Sequence, residues 1–304
     1  MDKDISFFTN KIICGDCVDI LKNIPSDSIS GCITDPPYNY EIIGQKWDKT
    51  ESERRIEKIK SNTSTLVKNI PYGSGLSGGV RNKRWYERNR ENTLAYDKWV
   101  EEWGSELFRI LKPGAFIFIF NSSRTIAHIQ VSLENVGFYA RDILVWKRNS
   151  GIPKGLNFAK KLQKLGYTNY NEWDGWHSCL RNEWEGIALL QKPLQNNYFE
   201  TLQNFGVGLL KAKESDTFLS NIIQDIKKDK KDDFNNHPTV KPLELIEKLI
   251  AISIPQHNEN IIIDPFNGSG TTTLAAKKYG ISFIGIDKEQ DYVDIALTRL
   301  NKFN

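Results

Sequence analysis

The sequence predicts a doubly wound α/β sheet, and three features carry that expectation. Apolar runs of strand length alternate with helical runs near the start of the chain, again in its second hundred residues, and again toward its end. Two of the apolar runs break into sharp turns, Asp35-Pro36-Pro37-Tyr38 and Asp264-Pro265-Phe266-Asn267-Gly268-Ser269-Gly270. Between the regular stretches the pattern dissolves into polar, aromatic and basic sequence.

Residues 1–40 read as strand (KIIC), helix (CVDILKNI) and strand (ISGCIT, running up to Asp35). From Tyr40 to Asn92 no period is sustained. ERRIEKIK, YGSGLSGGV and RNKRWYERNR predict a mobile, locally basic loop. Order returns with LAYDKWVEEWGSELFRIL, where Val100, Trp103, Leu107, Ile110 and Leu111 recur at helical spacing and define a core-facing side. Lys112-Pro113-Gly114 stops that helix, and AFIFIF follows as a strand buried on both faces. A helix from Arg124 to Asn135 and the strand DILVW complete this half. Residues 147–236 are irregular and rich in Trp, Tyr, Asn and Lys, the composition of a separate substrate-facing module that ends in the mixed-charge linker IKKDKKDDFNN. The tail is regular. KPLELIEKLIAIS places Leu243, Ile246, Leu249 and Ile250 on one helical face, and NIIID, the glycine turn, TTTLAAKKYG, ISFIGID and EQDYVDIALTRL alternate strand and helix. The expected division is therefore one sheet domain from 1–149 and 237–304, with the basic loop at about 40–92, and a second region at 150–236.

Bulk properties narrow the class. A chain of 304 residues, 39% hydrophobic and 26% charged, can bury a sizeable core in one or two domains. No apolar run approaches the roughly 20 residues that cross a bilayer, and MDKDISFFTNK carries charge where a signal peptide needs an apolar stretch. A cytoplasmic protein is expected. The net charge of +3 permits nucleic-acid binding without establishing it. Cys14 and Cys17 form a CxxC, but only His177 and Cys179 could complete a metal set, at poor spacing. Together with Cys32 they are expected to be reduced thiols with no metal.

The turn after NIIID suits a ligand. Gly268 and Gly270 let the backbone approach closely, the helix beginning at Thr271 offers free N–H groups, and Asp287 ends the next strand where a carboxylate accepts from ribose hydroxyls. No Lys follows Gly270, which excludes a triphosphate loop, and Thr273 stands where a dinucleotide fingerprint wants a third glycine. S-adenosylmethionine has no phosphate, so the shorter turn through Ser269 suffices, and Asp264 suits its ammonium. A purely structural turn is the alternative.

The turn after ISGCIT sits at a carboxyl strand end. Pro36 and Pro37 stiffen the backbone and leave carbonyl oxygens as acceptors, Asp35 adds another, and Tyr38 adds an aromatic face. That combination fits a flat group bearing an NH₂. An exocyclic amine of adenine or cytosine is a poor nucleophile because its lone pair is delocalised into the ring. Acceptance of its two N–H groups by Asp35 and the Pro36 carbonyl pulls the nitrogen toward tetrahedral geometry, so that it can attack a sulfonium methyl in line. Tyr38 would stack on a base flipped from the duplex. A plain proline turn is again the alternative.

DPPY and DPFNGSG together, with Gly15-Asp16 near the start and His237-Pro238-Thr239-Val240-Lys241-Pro242 before the second motif, resemble the DNA amino-methyltransferases. The order, DPPY first and the cofactor loop last, is similar to the permuted beta class. The resemblance implies a circularly permuted, Rossmann-like methyltransferase sheet with an inserted target-recognition region at 150–236. It implies that Asp16 faces the adenine of S-adenosylmethionine, that Asp264, Phe266 and Gly268 line the methionine end, with Ser269, Gly270 and Thr271 completing the loop, and that Asp287 binds ribose. It further implies that Thr239 and Lys241 hold the cofactor carboxylate. Arg181, Glu183, Trp184 and Glu185 lie in a segment like one that flanks target recognition in relatives, with no base contact assigned. Asp before the two prolines is typical of adenine-N6 enzymes and Ser of cytosine-N4 enzymes, so the resemblance favours N6 of adenine in double-stranded DNA.

Arg81, Lys83, Arg84, Arg88 and Arg90 could track phosphates, with Trp85 or Tyr86 stacking, or could form a solvated loop. Rival readings are a cytosine-N4 enzyme, a protein-glutamine methyltransferase and a silent DNA-binding scaffold. The glutamine enzymes carry Asn before the prolines and usually the cofactor loop first, against which Asp35 and the motif order stand. DNA is the expected partner; a homodimer and a cognate restriction endonuclease remain open.

Overall fold

The computed structural model describes residues 4–38, 83–148, 155–227, 229, 240–256 and 259–303, with side chains in the second stretch described from Arg90 onward. The strands are β1 (Lys11–Cys14), β2 (Ile29–Thr34), β3 (Leu111–Asn121), β4 (Tyr139–Lys147), β5 (Trp184–Gln191), β6 (Lys213–Glu214), β7 (Thr217–Phe218), β8 (Ile222–Ile223), β9 (Ile261–Asp264) and β10 (Ser282–Asp287). The helices are α1 (Cys17–Leu21), α2 (Lys83–Ile110), α3 (Ile126–Asn135), α4 (Phe158–Lys164), α5 (Tyr198–Phe205), α6 (Leu243–Ser253), α7 (Thr271–Lys278) and α8 (Gln290–Lys302).

Eight strands form one sheet in the order β1-β10-β9-β2-β3-β5-β4-β8, while β6 and β7 make a separate small hairpin. All neighbours in the large sheet run parallel except β5, which is antiparallel to both β3 and β4. Every residue of β2 and of β9 is buried, as expected of central parallel strands whose two faces are both covered. That is why neither ISGCIT nor NIIID shows the alternation of a half-exposed strand.

On α2 the predicted face is the observed one: Val100, Trp103, Leu107 and Ile110 are fully buried, as is Leu111 beyond the helix. Each such side chain contributes about 1.5–3 kcal/mol relative to exposure, so this face anchors the helix to the sheet unit. Gly104 sits mid-helix because a Cβ there would lie 2.8 Å from Leu133 Cδ2 on α3. The helix begins earlier than the sequence suggested. Lys83 to Asn92, read as part of an irregular basic loop, is helical. No Gly or Pro interrupts it before Gly104, and Arg, Lys and Glu are good helix formers. On α6, Leu245 joins Ile246, Leu249 and Ile250 in the core, while Leu243, at the first position of the helix, is only partly buried.

Two compact units are present, one from 1–38, 97–148 and 184–304, the other from 39–96 and 149–183. The expected second region, 150–236, is shared between these units, which part at Glu183/Trp184. Trp184–Gln191 is an apolar run that pairs along its length with β3 and β4, so the sheet unit resumes at Trp184. The second unit contains α4, whose N-cap Asn157 accepts from Lys160 N at 3.0 Å, and an edge-to-face aromatic series in which Trp173 meets Phe158 at 5.1 Å and Trp176 at 6.0 Å. Among the described residues no helix is long and apolar enough to cross a membrane.

Candidate active site

Four neighbouring parallel strands, β1, β10, β9 and β2, each lead into an aspartate at the same edge of the sheet. Asp16 follows β1, Asp287 ends β10, Asp264 ends β9 and Asp35 follows β2. The register sets Cys14 opposite Asp287 and Gly285 opposite Asp264, and Cys32 lies opposite Ile263. Motifs separated by more than two hundred residues therefore emerge side by side. Thr34, the last residue of β2, donates to Asp264 Oδ1 at 2.6 Å and ties the two turns together.

Around DPPY lies a partly buried charge cluster. Lys241 Nζ is 2.5 Å from Asp35 Oδ2 and 2.9 Å from Glu185 Oε1. The Tyr38 hydroxyl donates to Glu185 Oε1, and Arg148 Nη1 stands 3.8 Å from Glu185 Oε2. Two carboxylates thus face two cations, a balance that permits their partial burial. The Lys241 ammonium also lies 5.0 Å from the centre of the Phe120 ring and 5.8 Å from that of Tyr38. Asp35 Oδ1 is buried and has no hydrogen-bond partner among the described residues. Burial pushes the Asp35 carboxyl upward, the Lys241 charge opposes this and the Glu185 charge adds to it. Burial alone would lower Lys241, but the charges of Asp35 and Glu185 outweigh it and hold the ammonium protonated. Burial, with the same two carboxylates, raises Tyr38 so that its hydroxyl remains a donor.

The glycine turn is held by its own side chains. Asp287 Oδ2 accepts from Gly268 N at 2.7 Å, and its Oδ1 from Glu289 N at 2.9 Å. Asp264 Oδ1 also accepts from Phe266 N at 3.1 Å, and burial pushes this carboxyl up to about 7. Phe266 packs edge-on against Trp103 at 5.5 Å and is tilted against Trp99 at 5.4 Å. Gly270 has φ +80°, and a Cβ there would lie 2.6 Å from Ala296 Cβ. Its lack of a side chain is required by packing against α8. The Ser269 and Thr271 hydroxyls accept from Arg299 Nη1 at 3.2 and 3.1 Å, as does the Ser269 carbonyl at 2.8 Å. Asp16 caps α1, accepting from Val18 N at 3.0 Å, and its other oxygen is 4.0 Å from Lys288 Nζ.

The structure brings together Asp35, Pro36, Pro37 and Tyr38 with Lys241, which it sets on the DPPY carboxylate. Thr239 and Arg81 lie outside the described residues, as do all of residues 39–82, which hold most of the segment expected as a basic loop at about 40–92. Lys83, Arg84 and Arg88 stand on α2 with no side chain described, and Arg90 is exposed. Arg181 pairs with Glu183 in the second unit. Sequence reasoning missed Glu185, Arg148 and Arg299. Glu185 stood in a segment already noted, and the one available signal was an acid opening an otherwise apolar strand. Cys17 is buried, which pushes its thiol up to about 12, and among the described residues no group of His, Cys, Asp and Glu could hold a metal.

A parallel sheet that gathers carboxylates and a rigid proline turn at its carboxyl edge defines an α/β enzyme with a ligand site at that edge. The N6/N4 DNA methylase family model matches residues 29–298, and the chain belongs to that family. It is 32% identical over 297 residues to Type II methyltransferase M.HindIII of Haemophilus influenzae, covering 92% of this chain and 91% of the relative. Among solved structures, the M1.HpyAVI–SAM complex superposes with TM-score 0.56 at 23% identity, covering 96% of this chain and 98% of that one. PvuII DNA methyltransferase, cytosine-N4-specific, superposes with TM-score 0.58 at 15% identity over 95% of this chain and 85% of that one. Both likenesses are of fold.

Proposed function

We propose that this protein methylates N6 of adenine in double-stranded DNA, acting on a base flipped into the DPPY site. The observation that carries the reading is Asp35 Oδ1, a buried carboxylate oxygen without a partner among the described residues. Such an acceptor is costly to leave empty, so it calls for a donor that arrives with the substrate. An exocyclic amine supplies one N–H to Asp35 and one to the Pro36 carbonyl. Lys241 holds the opposite oxygen of Asp35 and so aims Oδ1. Tyr38 offers its ring to the base while its hydroxyl is anchored on Glu185.

S-adenosylmethionine is the cofactor, and it supplies the electrophilic sulfonium methyl when bound. The residues at the sheet edge fit it. Asp264 offers a carboxylate to an ammonium, Phe266 an apolar wall, Asp287 and Asp16 acceptors for ribose and adenine, and the first turn of α7 offers backbone N–H groups. The motif order makes the sheet a circularly permuted, doubly wound one. Target recognition falls to the 150–236 region apart from the strands it lends to the sheet, and the basic start of α2 tracks phosphates. Likeness to a Type II methyltransferase supports a place in a restriction-modification system.

Aspartate before the two prolines favours adenine over cytosine. The test is digestion of DNA methylated by the purified protein, with the nucleosides separated by mass. N6-methyladenine is expected. N4-methylcytosine as the dominant product would overturn the adenine assignment and keep the chemistry, and no modified nucleoside would overturn both.

A further inference from the structure

Glu185 has no role in the motifs, yet it is the hub of the DPPY cluster. It is the second residue of β5, the strand that runs antiparallel to both its neighbours. Because β5 is antiparallel, its first residues lie at the edge where the parallel strands end: Gly186 pairs with Asn121 at the end of β3, and Glu185 pairs with Trp146 near the end of β4. From there one carboxylate oxygen accepts from both the Tyr38 hydroxyl and Lys241 Nζ, and the other faces Arg148. Lys241 in turn holds Asp35 Oδ2 at 2.5 Å. Both working side chains of DPPY are thus tied to one residue, Tyr38 directly and Asp35 through Lys241.

We propose that Glu185 is the positioning residue of the methyl transfer, fixing the Tyr38 ring and, through Lys241, turning Asp35 so that its free oxygen meets the target amine. This rests on the function proposed above. Glu185 touches no reacting atom. A glutamate there does what a neutral residue cannot, because its charge keeps Lys241 in a pocket where Asp35 alone would face both burial and the nearby Asp264 carboxyl. The groups that act on Asp35 are Lys241 ahead of α6, Glu185 on β5, Tyr38 beside it and Asp264 on β9, with Arg148 beyond β4 balancing Glu185.

The test uses the full chain with saturating S-adenosyl-L-[methyl-³H]methionine and unmodified bacterial genomic DNA, with kcat measured across pH. Glu185→Gln is expected to lower kcat by roughly ten- to a hundredfold, as for loss of one charged hydrogen-bond partner, with cofactor affinity within about threefold of wild type. It should also move the acid limb of the profile to lower pH, because a negative charge that raises Asp35 is gone, whereas Lys241→Met should move that limb to higher pH. A purely structural loss would lower the rate at every pH and leave the limb in place. A Glu185→Gln variant with kcat near wild type, or with an unmoved limb, overturns the proposal. Should Glu185→Gln lack a cooperative melt, Glu185→Asp decides. A reduced kcat with the limb moved to lower pH, as expected when the carboxylate is drawn back by one carbon, supports positioning, and a wild-type kcat or an unmoved limb overturns it. If the wild-type protein transfers no methyl group to DNA, the functional reading itself fails, which separates the two outcomes.

Discussion

Pairing of Asp264 with the cofactor ammonium, as proposed above, predicts a cofactor affinity that depends on pH in a way the environment of this carboxyl sets. Burial at the end of β9 pushes its carboxyl up to about 7, against hydrogen bonds from Thr34 and the Phe266 backbone that lower it. An ammonium pairs with the ionised carboxylate only. Half the carboxyl is ionised at pH 7, and well below that the ionised fraction falls about tenfold per unit, so the Kd for S-adenosylmethionine should rise about fiftyfold between pH 7 and pH 5. Titration calorimetry across that range reads it directly. Asp264→Asn should bind weakly with little pH dependence. The same shift has a consequence for the unliganded fold. The folded pKa lies above the unfolded value of 3.8, so the folded state holds the proton between the two. Stability contributed by this group is full below the unfolded pKa and is lost as pH rises through the folded one, at no more than about 1.4 kcal/mol per unit. Melting curves of the wild type and Asp264→Asn should differ in slope over that window. A wild-type Kd constant from pH 5 to pH 8 would refute the pairing of Asp264 with the ammonium.

Asp35→Ala should abolish methyl transfer while cofactor affinity stays within a few-fold, since Asp35 meets the base; transfer near the wild-type rate, read by tritium incorporation, would remove the mechanism. Tyr38→Phe keeps the ring and loses the bond to Glu185, so it should retain more activity than Tyr38→Ala, and equal losses in the two would show that stacking contributes nothing. Arg299→Met leaves the Ser269 carbonyl and two hydroxyls without their buried donor, which should cost about 2–4 kcal/mol of stability and weaken cofactor binding, read by thermal melts and calorimetry. Neutralising Arg81, Lys83, Arg84, Arg88 and Arg90 together should weaken DNA binding at all sequences and flatten its salt dependence, and an unchanged slope would make that segment a solvated one.

Local chemistry makes much of this protein legible in its sequence. The strands ISGCIT, AFIFIF, DILVW, NIIID and ISFIGID, the buried face of α2 and both turns are readable because each depends on periodicity or on the backbone limits of Pro and Gly. The turns also carry their chemistry, since an acid, two prolines and an aromatic ring suit few ligands. Other features depend on partners distant in the chain. That WEGIALLQ enters the sheet between β3 and β4, and does so antiparallel, follows from pairing that no local pattern specifies. With that reversal Glu185 arrives beside Tyr38 and Lys241, although 147 residues separate it from Tyr38. Arg299 reads in sequence as one basic residue on an amphipathic helix, and only the packing of α8 buries it beneath the glycine turn. Sequence thus determined which segments could be strand, helix or ligand turn. Tertiary structure decided which charges meet, because a buried carboxylate takes its pKa, its partners and its empty oxygen from neighbours that only folding assembles.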